Sequence, residues 1–61
     1  MIPEQRREAI LEMARQNNDL KVEDLADRFG VSRETVRRDL AQLDARGLLR
    51  RVHGGAHRPQ T

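Results

Sequence analysis

Residues Gly30 to Leu40 read Gly-Val-Ser-Arg-Glu-Thr-Val-Arg-Arg-Asp-Leu. They describe a short turn feeding a helix that is apolar on one face and arginine-rich on the other. Ser32 is the residue type that caps a helix N-terminus, its hydroxyl accepting from a free backbone N–H of the first turn, so the helix starts at Arg33. Val36, Leu40 and Leu43 then recur at spacings of four and three, which places them on one side, and Gly47 supplies a left-handed stop. That side must be buried. At 100° per residue, Glu34, Arg37, Arg38 and Ala41 project the other way, toward water or a partner.

Immediately upstream, Val22 to Phe29 forms a shorter helical pattern with Leu25 and Phe29 on one face, ended by Gly30. Ala26, Gly30 and Val36 have the spacing of a helix-turn-helix: a small residue for close approach, a glycine for the tight turn and an aliphatic residue to lock the helices. A plain helical hairpin has the same triplet, so the flanking sequence must decide between them.

Helix 1 is predicted over about 3–16. Pro3 suits a first helical turn, Glu4 and Glu8 suit the positive end of the helix dipole, and Ile10, Met13 and Ala14 form an apolar stripe with Leu11 beside it. Arg7, Glu8, Glu12 and Arg15 read as a solvated outer face held by pairs three and four residues apart. Asn17, Asn18 and Asp19 form a turn, followed by Leu20 and Lys21 as a link that could make a single strand bridge. Helix 2 is predicted over about 22–29 and the third helix over about 33–46. Beyond Gly47 the pattern becomes extended, with a wing over about 48–58. Leu48, Leu49, Arg50, Arg51 and Val52 lead to His53-Gly54-Gly55, then Ala56, His57 and Arg58. A Gly-Gly pair between two short basic stretches reads as a β-hairpin, since glycine tolerates the positive φ of the turn. The expected fold is mainly α with a small β-hairpin: a three-helix winged helix-turn-helix occupying residues 1–61 as one domain.

The bounds agree. A chain of 61 residues buries only about 60% of its unfolded surface and has no room for an enzyme cleft. It contains no cysteine, and its longest apolar runs are a few residues, so neither a disulfide framework, a signal peptide nor a membrane span is expected. The net charge of +2 conceals a polarity: residues 1–30 hold five basic and seven acidic side chains, residues 31–61 seven basic and three acidic. A basic half on an acidic half would orient the domain on a polyanion, although a solvated charged surface is the plainer reading of charge alone.

Ser32-x-x-Thr35-Val36-Arg37-Arg38-Asp39-Leu40, followed by Leu43, Gly47 and Arg51-Val52-His53-Gly54-Gly55-Ala56, resembles the N-terminal domain of DeoR-family bacterial transcriptional regulators. The resemblance covers nearly the whole chain. It implies a cytoplasmic, nucleoid-associated repressor that binds double-stranded DNA. It also implies a larger domain sensing a phosphorylated sugar or related metabolite, with the parent a homo-oligomer. That effector domain is expected to be absent here, since the sequence stops at Thr61, and the isolated domain is expected to be monomeric. Two departures are visible: Lys21 stands where the family often has a small hydroxyl residue capping helix 2, and Val36 replaces the more frequent isoleucine.

A major groove admits an α-helix whose N-terminal half reads it, here Ser32, Arg33, Glu34, Thr35, Arg37 and Arg38. Arginine can fork onto guanine O6 and N7 or onto phosphate oxygens. Arg37 is assigned to bases, and Arg38 with the Ser32 and Thr35 hydroxyls to phosphates. Arg51, His53 and the backbone amides of Gly54 and Gly55 extend the contact through the wing. Asp39 is expected to turn inward and pair with Arg50 or Arg51, bracing wing against helix. His53 and His57, without a nearby thiolate or carboxylate, make a poor metal site, and no catalytic set or cofactor is expected. The rival reading is a winged-helix protein-interaction module without DNA binding. It lacks aromatic anchors, because the chain has no Trp or Tyr and its one Phe belongs to the core face of helix 2. RNA recognition by base stacking is a weaker reading still, for the same reason.

Overall fold

A computed structural model of the chain describes residues 2–17 and 19–59. Asn18, placed by the sequence reading in the first turn, and Thr61 lie outside these. The element order is α1 (Pro3–Gln16), β1 (Asp19–Lys21), α2 (Val22–Phe29), α3 (Arg33–Ala45), β2 (Arg50–Val52) and β3 (Gly55–His57).

Local chemistry sets the helix ends. Pro3 opens α1, where its missing N–H costs nothing. Gly30 takes φ 65° after α2, and the Val31 N–H reaches back to the Ala26 carbonyl at 3.1 Å. Ser32 caps α3, its Oγ accepting the Thr35 N–H at 3.1 Å. The far end of α3 closes as a Schellman motif: Gly47 at φ 75° donates to the Asp44 carbonyl and Leu48 to the Leu43 carbonyl, both at 2.9 Å. This motif occupies Leu48, so the wing strands are shorter than the extended pattern from residue 48 suggests. Leu49 then drops into the core instead of entering β2.

The core combines Ile10 and Ala14 of α1, Leu20 of β1, Val22, Leu25 and Ala26 of α2, Val36, Leu40 and Leu43 of α3, then Leu49 and Ala56. Leu11, Met13, Phe29 and Val31 pack partly buried around it. The helix-turn-helix triplet serves as read, with Ala26 and Val36 buried and Gly30 left-handed.

The link before α2 is more than a single bridge. β1 pairs antiparallel with β3 in the register Asp19↔His57, Leu20↔Ala56 and Lys21↔Gly55, and β2 pairs with the other edge of β3. The sheet order is therefore β1-β3-β2, with the last strand in the middle. This arrangement divides the two wing glycines between different tasks. Gly54 provides the turn, at φ 79°. Gly55 lies in β3, buried, where a Cβ would come within 2.0 Å of the Leu20 carbonyl oxygen. The second glycine is required by the close approach of β1, not by the turn.

Candidate nucleic-acid interface

The N-terminal half of α3 and the wing form one front. Arg33, Arg37 and Arg38 are all exposed on α3, as are Arg51, Val52, His53 and Gly54 on the wing. Arg37, Arg51, Val52 and His53 line an open cleft of about 270 Å³ between helix and wing, floored by Val22 and Leu40. A second depression of about 340 Å³ continues past Arg33 and His53 to Lys21 and Glu23. The wing is fixed in this position from two sides. The Val22 N–H at the start of α2 donates to the Gly54 carbonyl at 2.9 Å, and Asp44 Oδ2 accepts the Arg51 N–H at 3.1 Å.

Other anticipated residues occupy different situations. Ser32 Oγ, besides capping the helix, lies 3.0 Å from Thr35 Oγ1. With the serine proton donated to Thr35, the threonine hydroxyl keeps its own proton to give outward. Arg38 lines neither depression and lies 3.9 Å from Glu34, one turn earlier. Gly55 is inside the sheet, so it shapes the wing from behind while Gly54 occupies the exposed turn. His57 Nδ1 is 2.7 Å from the Arg58 carbonyl oxygen and accordingly carries a proton in that contact.

The expected pairing of Asp39 with Arg50 or Arg51 is overturned. Asp39 faces α1, where its carboxylate accepts from Arg6 Nε and, at 3.2 Å, from Arg6 Nη2, while Arg7 Nε reaches it at 3.1 Å. The helical wheel explains the direction: Asp39 falls on the buried face with Val36, Leu40 and Leu43, and that face meets α1. Bracing of the wing falls to Asp44, five residues further along α3 and at the end nearer β2. Arg7 accordingly leaves the solvated face assigned to it, whereas the Glu12 to Arg15 pair stands in solvent at 3.1 Å.

Asp39 is 1% exposed and Arg6 7%. Burial pushes the Asp39 carboxyl up, but hydrogen bonds from Arg6 and Arg7, with their charges, outweigh it and hold the group below its ordinary value. The same hydrogen bond raises Arg6 further. Helix α3 is thus clamped to α1 by a carboxylate shared between two guanidinium groups. Because Asp39 is neutralised from behind, it does not offset the positive charge of Arg37 on the front.

Lys21 and Glu23 were not singled out for the front by local pattern. They reach it because β1 pairs with β3, a contact between segments more than thirty residues apart, and the residue types alone carried no signal of it.

Three helices with an exposed, arginine-bearing third helix and a basic hairpin beside it make this a winged helix-turn-helix, an architecture of DNA-binding domains. Residues 6–61 match the family model of the DeoR-like helix-turn-helix domain, and the chain belongs to that family. It is 45% identical over 56 residues to the HTH-type transcriptional regulator GlpR of Haloferax volcanii, covering 92% of this chain and 22% of that relative. It is 40% identical over 57 residues to the glycerol-3-phosphate regulon repressor of Escherichia coli K12, covering 93% and 23%. Identity to the lactose phosphotransferase system repressor of Streptococcus mutans is 41% over 56 residues, covering 92% and 22%. The chain thus spans between a fifth and a quarter of the length of these relatives. No solved structure matches it at a significant level. Among the described residues, no helix is long and apolar enough to cross a membrane.

Proposed function

We propose that this domain reads double-stranded DNA as part of a transcriptional repressor, with α3 in the major groove and the wing on the adjacent backbone or minor groove. The observation carrying this reading is the convergence of Arg33, Arg37, Arg51 and His53 on one front with Lys21 behind them. An α3 clamped to α1 through Asp39 presents its opposite face to the groove. Relatives named as a glycerol-3-phosphate regulon repressor and a lactose phosphotransferase system repressor support an operon for sugars or related metabolites as the target; a sugar-phosphate effector bound by a further domain of an oligomeric, cytoplasmic parent completes the proposal.

Within the front, Arg37 is the base reader. Among the described residues no carboxylate pairs with it, and it lines both depressions, whereas Arg33 and Arg38 each face a glutamate. Arg38 and the Thr35 hydroxyl then hold phosphates, and Arg51, His53 and the Gly54 turn extend the contact along the wing. Protein docking would need apolar anchors on this front. Val52 is its one large exposed apolar side chain among the described residues.

The test is Arg37→Ala against a duplex selected from a randomised library and against a scrambled duplex. Loss of a guanine fork is expected to cost about 1–3 kcal/mol on the selected sequence and much less on the scrambled one. Equal weakening on both would assign Arg37 to phosphate.

A further inference from the structure

The arginines of the front differ in how their charge is committed. Arg33 Nη2 lies 3.2 Å from Glu23 Oε1, joining the first turn of α2 to the first turn of α3. Both side chains remain in solvent, 60% exposed for Arg33 and 68% for Glu23. Among the described residues, Glu23 is the sole carboxylate bordering a depression whose other charged or titratable neighbours are Lys21, Arg33, Arg37 and His53. Stabilising the α2 dipole does not require it there, because Asp24, the next residue, already places a negative charge in the same turn.

A carboxylate at this place has a cost when a polyanion approaches. For Arg33 to neutralise a phosphate, it must leave Glu23 or share its charge with it. Sequence-independent binding is driven by the number of phosphates that basic side chains neutralise, so a cation already compensated within the protein contributes less. Arg37 keeps its full charge for base edges. Specificity is a difference between two affinities, and lowering the generic one raises it as effectively as improving the cognate contact.

We propose that Glu23 is a specificity-determining residue: by holding the Arg33 guanidinium at the mouth of the interface, it withholds one cation from sequence-independent phosphate contact. The inference rests on the DNA reading given above.

Glu23→Gln keeps the side-chain shape and removes the charge. Binding of a short fluorescein-labelled duplex of mixed sequence, followed by anisotropy over a series of salt concentrations, gives both affinity and salt dependence. At low salt, Glu23→Gln is expected to bind this duplex about two- to fivefold tighter, as loss of an exposed ion pair allows. The slope of log K against log salt should steepen by about 0.9, one additional phosphate neutralised. In an Arg33→Ala background, Glu23→Gln should change neither quantity. An unchanged slope in the single variant overturns the proposal, because support of the α2 helix alone would leave the slope where it is. So does a gain that persists without Arg33, which would make Glu23 a general negative charge. A wild-type domain that leaves the duplex unbound overturns the DNA reading, and this inference with it.

Discussion

Replacing Asp39 by alanine leaves Arg6 buried at 7% exposure with no counter-charge, and removes three hydrogen bonds in which every partner is ionised. Breaking a buried ion pair by deleting one member costs about 3–5 kcal/mol, mostly from the charge left behind. At about 0.05–0.15 kcal/mol per residue, a domain of 61 residues has about 3–9 kcal/mol in total. Asp39→Ala should therefore be largely unfolded at room temperature or melt far below the wild type, as measured by circular dichroism during urea and thermal unfolding. Arg7→Ala, which removes the outer, partly solvated guanidinium and leaves the Arg6 fork in place, should cost only about 1 kcal/mol. The double variant Arg6→Met, Asp39→Leu separates charge from packing. If the unpaired charge is the dominant penalty, this apolar pair restores most of the wild-type stability. An Asp39→Ala domain no less stable than Arg7→Ala, or a double variant as unstable as Asp39→Ala, would show that the unpaired Arg6 charge is not the dominant penalty.

The pH dependence follows from the lowered Asp39 value: its contribution is complete above the ordinary aspartate value of about 4 and is lost as pH falls below it toward the folded value. Acid titration of stability should thus show a decline that is shallower in Arg6→Met, Asp39→Leu. Gly55→Ala drives a methyl group into the Leu20 carbonyl and should cost about 1–3 kcal/mol, with amide exchange accelerated in β1 and β3 before the helices. Lys21→Ser should move stability and binding in opposite directions. Lys21 has extended backbone angles at the N-cap of α2 but makes no side-chain cap bond, so a hydroxyl there adds about 1 kcal/mol in urea unfolding, while loss of the cation weakens duplex binding in anisotropy.

Local signals carried the helices well. Ser32, Gly30 and Gly47 each act through bonds to residues at most five positions away, and the 3.6-residue period exposes the buried face of α3 directly. Contacts between distant segments were not legible in this way. Asp39 was correctly turned inward by its place on the wheel, yet the wheel does not say which element lies opposite, and arginines of both α1 and the wing could have supplied the partner. The identity of Gly55 was readable but its reason was not, because a Gly-Gly pair looks alike whether φ or close approach demands the second glycine. β1 has only three residues, too few for an alternating pattern, and becomes a strand through pairing with β3. Lys21 and Glu23 were hidden with it. The front is thus half local, in the exposed arginines of α3, and half tertiary, in what the sheet brings beside them.

The most direct test of the account is an amide chemical-shift titration of the isotopically labelled domain with a short mixed-sequence DNA duplex at low salt. Perturbations are expected to concentrate at residues 32–41 and 50–54 and at Lys21, with the outer face of α1 unaffected. Perturbations confined to α1, or none at all, would contradict the DNA reading and assign this helix-turn-helix to a partner other than DNA.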